Sequence, residues 1–142
     1  MYETQLLKVR IRPGMTERVI EFLRSLRERK DAALEAMRRE GVTVESLFLE
    51  RRDEGDYLYY YVKAKDLAHA NDVNLQATDS LTLEIRAFIS ETWGEIASPE
   101  PLLDLDLIAP AASKSLAPGK PKRRAEGRSA ASPSSPRILA GG

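Results

Sequence analysis

Cysteine is absent from the 142 residues. The chain therefore has no disulfide framework, no thiolate-bound zinc or iron–sulfur cluster and no thiol nucleophile. Histidine occurs once, at position 69, which excludes a multi-histidine metal centre, and no spaced carboxylate motif for a hard cation stands in for it. The expectation is a chain without a metal or a cofactor. No apolar run approaches the roughly eighteen residues of a membrane span, and no basic flank with an apolar segment precedes the first strand pattern. A cytoplasmic protein with no membrane partner is expected. A Gly-rich phosphate loop, a Ser-His-Asp spacing and a helix-turn-helix signature are missing too.

Neither sign of charge dominates, with 22 basic and 22 acidic residues, but the two are distributed unevenly. Residues 1–110 hold fifteen basic against twenty-one acidic residues, and residues 111–142 seven against one. After Pro110 the composition turns to Ala, Ser, Pro, Gly and basic residues with no aromatic. This predicts one domain over residues 3–109 and a disordered basic tail over 110–142. The tail run Lys120-Pro-Lys-Arg-Arg124, interrupted by proline, is too weak a signature to predict a nucleic-acid partner.

Within the domain, Leu7, Val9 and Ile11 alternate with Leu6, Lys8 and Arg10, the period of a half-buried strand. Pro13-Gly14 ends it, and Thr16 can cap one long helix running to Gly41, its polar side offering Arg24–Glu28, Arg27–Asp31 and Glu35–Arg39 pairs. Two strands follow, Val42–Arg52 and Asp56–Lys65, joined at Asp53-Glu54-Gly55. A helical region from Asp66 to about Ile96, interrupted near Thr78-Asp79-Ser80, carries Phe88 and Trp93 at core-like spacing. The alternation of Leu102–Ile108 reads as a closing strand. The order β-α-β-β-α-β predicts an α+β fold of ferredoxin-like type, with a four-stranded antiparallel sheet and two helices on one face. The helix-facing set is expected to be Leu7, Val9, Ile11, Val44, Phe48, Leu58, Tyr60, Val62, Leu103, Leu105 and Leu107.

The other sheet face has no layer of its own. Leu6, Leu47, Leu49, Tyr59, Tyr61, Leu102 and Ile108 on that face would be a large apolar patch, and such patches mark interfaces. A second copy closing over it predicts a homodimer whose facing sheets form a barrel.

The runs Val9-Arg-Ile-Arg-Pro-Gly14, Glu40–Glu50, Gly55–Tyr61 and Leu102-Leu-Asp-Leu-Asp106 resemble a small bacterial family without assigned function, over roughly residues 5–108. The resemblance implies a dimeric α+β barrel, a superfamily that includes monooxygenases, haem-degrading enzymes and sugar mutarotases. Haem-degrading barrels use a His, a Trp and an Asn. His69, Trp93 and Asn71 supply these types without the matching spacing, and no Asn lies on the first strand. Mutarotases carry a His in the first helix, where this chain has none. Fold alone does not select a function.

Strand parity sends Arg10, Glu45, Tyr59 and Tyr61 to the barrel side, and these are the candidate ligand-binding residues. Lys8, His69, Trp93 and Asp104 are secondary candidates. Arg10 could hold an anion while Glu45 or a tyrosine moves a proton. Lys8 and Arg10 could instead pair with Asp104 and Asp106 across neighbouring strands. The leading expectation is a protein that binds a small molecule in or beside the barrel. The alternatives are a cofactor-free monooxygenase or isomerase using the same Tyr, Glu and Arg groups, and a purely structural dimerisation module.

Overall fold

The structure, a computed structural model, describes residues 2–108; the expected basic tail lies outside the described residues. In chain order the elements are β1 (Glu3–Ile11), α1 (Thr16–Glu28), α2 (Lys30–Glu40), β2 (Val42–Arg52), β3 (Gly55–Ala64), α3 (Leu67–Gln76), α4 (Ser80–Thr92) and β4 (Trp93–Ala97). The four strands form one antiparallel sheet in the order β2-β3-β1-β4. The α+β class is therefore as expected, with four helices where two were read.

The expected long first helix breaks at Arg29, whose backbone (φ −109°, ψ 39°) leaves the helical region. Its N–H still bonds the Ser25 and Leu26 carbonyls, and its guanidinium reaches Glu84 of α4 at 3.0 Å. A tertiary anchor thus sits at the break, and no glycine or proline marks it. The second break falls where expected, since Asp79 caps α4 by accepting from the Thr82 N–H at 3.0 Å. Gly41 closes α2 at φ 76°, a left-handed position that glycine adopts without a Cβ penalty. Thr16 does not cap α1. It is the first helical residue, and its hydroxyl donates to Asp56 at 2.6 Å.

The largest departures are in β2 and at the end of the domain. In β2 the register passes from Val42↔Ala64 to Val44↔Lys63, so Thr43 is an extra residue, a β-bulge that reverses the faces of everything after it. Glu45, Leu47 and Leu49 then lie opposite Val62, Tyr60 and Leu58, on the helix side. Val44, Ser46 and Phe48 fall on the open face, and Phe48 is 60% exposed where a core position was expected. At the domain end, the place beside β1 is taken by Trp93–Ala97, which follows α4 without a loop. Pro99 and Pro101 interrupt any continuation of that ladder. Residues 98–108 run as an extended arm outside the sheet, so Leu103, Leu105 and Leu107 are not core residues but 77%, 80% and 98% exposed.

The core lies between one sheet face and the helices. Leu7, Val9, Leu58, Tyr60 and Val62 meet Val19, Phe22, Ala70, Ile85 and Phe88. Phe22 stacks on Phe88 with ring centroids 4.2 Å apart, locking α1 to α4.

Candidate functional site

The sheet separates the four leading candidates. Arg10, Tyr59 and Tyr61 stand on the open face, while the Thr43 bulge carries Glu45 to the helix side. There its carboxylate accepts from the buried Tyr60 hydroxyl at 2.5 Å. Glu45 therefore cannot act on a ligand held by Arg10 across the sheet, and the expected four-residue constellation is not one site.

What the open face does assemble is a cluster of cations around a phenol ring at the β2–β3 hairpin end. Lys8 Nζ lies 4.8 Å from the Tyr57 ring centroid, and the guanidinium carbons of Arg10 and Arg52 lie at 5.3 and 5.5 Å. Each is within the reach of a cation–π contact. The cause is register: Arg10 pairs with Tyr57 and Lys8 with Tyr59, so the basic side chains of β1 lie along the tyrosines of β3. The Arg10 guanidinium also donates to the Glu54 carbonyl. It fits under the hairpin because residue 55 is glycine, where a Cβ would stand 2.7 Å from Arg10 Cζ. Arg52 is held by Glu54 at 3.0 Å, which raises its pKa. Neither Lys8 nor Arg10 has a carboxylate at ion-pair distance among the described residues.

Beside this cluster the Tyr59 hydroxyl donates to Glu50 at 2.6 Å. That bond, with the carboxylate's charge, holds the phenol above its ordinary pKa. Tyr59 is thus a phenol whose proton is held by a neighbouring carboxylate.

Farther along the open face the arm folds back over the sheet. Lys63 Nζ donates to Asp104 at 2.8 Å and also to Asp106. The expected partners of these aspartates, Lys8 and Arg10, are not used, because the arm never becomes the strand beside β1. Tyr61, Leu6 and Thr4 then border a cleft of about 370 Å3 with Pro99, Pro101 and Leu103 of the arm.

The remaining secondary candidates lie elsewhere. His69 is exposed in the first turn of α3, its backbone N–H bonded to Asp66. Trp93 starts β4 instead of sitting within a helix; it is 4% exposed and tilted against Tyr60 with centroids 6.3 Å apart. No group of three or more metal-ligating side chains gathers among the described residues, and no helix there is long and apolar enough to cross a membrane. Sequence reasoning missed Tyr57, Arg52 and Glu50. The available signal was the hairpin register, which places residues 52 and 57 beside Arg10 once Gly55 is fixed in the turn.

A model of a family of unknown function, DUF6176, matches residues 2–109. The chain belongs to the DUF6176 family. The match spans both the hairpin cluster and the arm, so both are parts of the family domain. No curated protein and no solved structure matches the chain.

Proposed function

We propose that this DUF6176 chain is a ferredoxin-like half of a homodimeric α+β barrel, and that it binds a small organic anion at the Lys8–Arg10–Tyr57–Tyr59 cluster under cover of the second copy. Three cations converging on the Tyr57 ring carry this reading, two of them without a carboxylate partner among the described residues. Such a group favours a ligand that brings negative charge and a flat face. Dimerisation is supported by the Phe48 side chain and the leucines of the arm, all exposed on or beside the one sheet face that no helix covers. Enclosure by a second sheet lowers the local dielectric and strengthens each charge contact within.

The test is thermal melting of the full chain with small carboxylates, benzoate as the aromatic member. The expected result is a melting temperature that rises with ligand in the wild type and not in Arg10→Ala. No rise with any carboxylate contradicts the reading.

The Tyr59–Glu50 hydrogen bond favours a second reading, a cofactor-free monooxygenase or isomerase in which this pair moves the proton. That reading requires turnover of the bound anion, abolished in Tyr59→Phe with binding retained.

A further inference from the structure

At the β2 edge of the sheet, α1, α2 and residues 45–48 of β2 border a groove of about 680 Å3. Small-molecule sites fall in the range of roughly 300–1,000 Å3. Two local events shape it. The break at Arg29 splits α1 from α2, and the Thr43 bulge turns Leu47 toward them. The half-buried lining is apolar, with Leu23, Leu34, Met37 and Leu47, the flexible thioether suiting an adaptable wall.

The exposed lining is Phe48 and three cations, Arg24, Arg27 and Lys30. None of the cations has a carboxylate at ion-pair distance among the described residues. The expected i,i+4 pairs did not form. Asp31 lies across the helix break from Arg27, and Glu35 is taken by Arg38 at 2.9 Å. The single carboxylate in the lining, Glu45, accepts from Tyr60 at 2.5 Å. A neutral apolar ligand would leave three cations unanswered, and a cationic one would add to their repulsion. A ligand with an apolar body and one anionic end satisfies both parts of the lining.

We infer that this groove binds a long-chain alkyl carboxylate, its chain against Leu23, Leu34, Met37 and Leu47 and its carboxylate held by Arg24, Arg27 and Lys30. The site lies along the β2 edge of the sheet, with Phe48 of the open face at its rim, and does not depend on the anion-cluster reading.

The test is a titration of the 15N-labelled full chain with dodecanoate, below its micelle concentration, followed by amide shifts. Saturable shifts are expected at residues 20–37 and 45–48. Arg24→Glu/Arg27→Glu is expected to bind about ten-fold or more weakly with its spectrum otherwise intact, ten-fold being roughly 1.4 kcal/mol. On the wild type, dodecyltrimethylammonium, with the same chain and the opposite charge, is expected to leave these amides in place. Three results would each overturn the inference: no saturable shift in the groove, shifts confined to the arm at Leu102–Ile108, or equal binding of the two amphiphiles. The wild-type comparison decides even if the double variant does not fold.

Discussion

Lys63 of β3 and Asp104 of the arm are joined by a 2.8 Å ion pair on the open side of the sheet, and Asp106 takes a second bond from the same ammonium. Lys63 is only 2% exposed, and its ammonium is bonded to the arm. The two aspartate hydrogen bonds raise its pKa and outweigh the desolvation that opposes them. Both carboxylates reach down to the Lys63 ammonium, and Leu105 between them is 80% exposed.

The tether sets the first prediction. Lys63 and then the Ile108 N–H stabilise the charged form of Asp106, holding its carboxyl below the ordinary 3.8. A depressed carboxyl contributes stability above its ordinary value and loses it as pH falls through the folded value. The Lys63 contribution is complete below the ordinary lysine pKa and is lost only as pH rises through the raised one. The arm is thus held from about pH 4 through neutrality and released below. Amide exchange or NMR of residues 99–108 checks this. Lys63→Met is expected to release the arm at neutral pH, and unchanged arm amides in that variant would refute the tether.

Gly55→Ala is expected to lower stability by about 1–2 kcal/mol, as strained left-handed positions do. Its φ of 144° is one that side chains avoid, and the new methyl would overlap the Arg10 guanidinium. In a denaturant titration, adding Arg10→Ala to Gly55→Ala should recover the part due to overlap and leave the part due to strain. Simple additivity of the two substitutions would contradict the contact.

Removing the Tyr60 hydroxyl strips Glu45 of a donor on the helix side of the sheet. Tyr60→Phe should cost about 1–3 kcal/mol, the range for a buried group left short of a partner. Equilibrium unfolding measures it. A stability equal to wild type would mean that Tyr60 and Glu45 do not meet, and with that the reversed parity of β2 would lose its support.

Tyr59 should titrate above 10.0, the ordinary phenol value, because its proton is shared with Glu50. The difference in ultraviolet titration between wild type and Tyr59→Phe isolates this phenol. Glu50→Gln should bring its midpoint down toward the ordinary value, and a midpoint unmoved by that substitution would show that the bond does not persist in solution.

The legible parts of the fold were those in which pattern and packing agree. In β1 and β3, Leu7, Val9, Leu58, Tyr60 and Val62 alternate and are buried as expected. Asp79 and Gly41 marked helix ends by capping chemistry that local sequence carries. β2 misled because both of its faces are apolar: Val44 and Phe48 look as much like core as Leu47 and Leu49, so hydrophobicity could not detect one extra residue at Thr43. Leu102–Ile108 misled for a related reason. Its alternation is real, but the sheet edge it would fill already belongs to Trp93–Ala97, which local pattern assigned to a helix. The site inherited both errors. Arg10, Tyr59 and Tyr61 were placed on the correct face by the β1–β3 register, and Glu45 went astray with the bulge.

The proposed anion site requires the open face to meet its counterpart in a second copy. Sedimentation equilibrium of the full chain at micromolar concentration, run beside Phe48→Lys/Leu105→Lys, tests it most directly. The expected result is a mass of twice 15.9 kDa for the wild type and of a single 15.9 kDa chain for the folded double variant. A wild-type chain that sediments as one copy, or a double variant that still sediments as two, would contradict it.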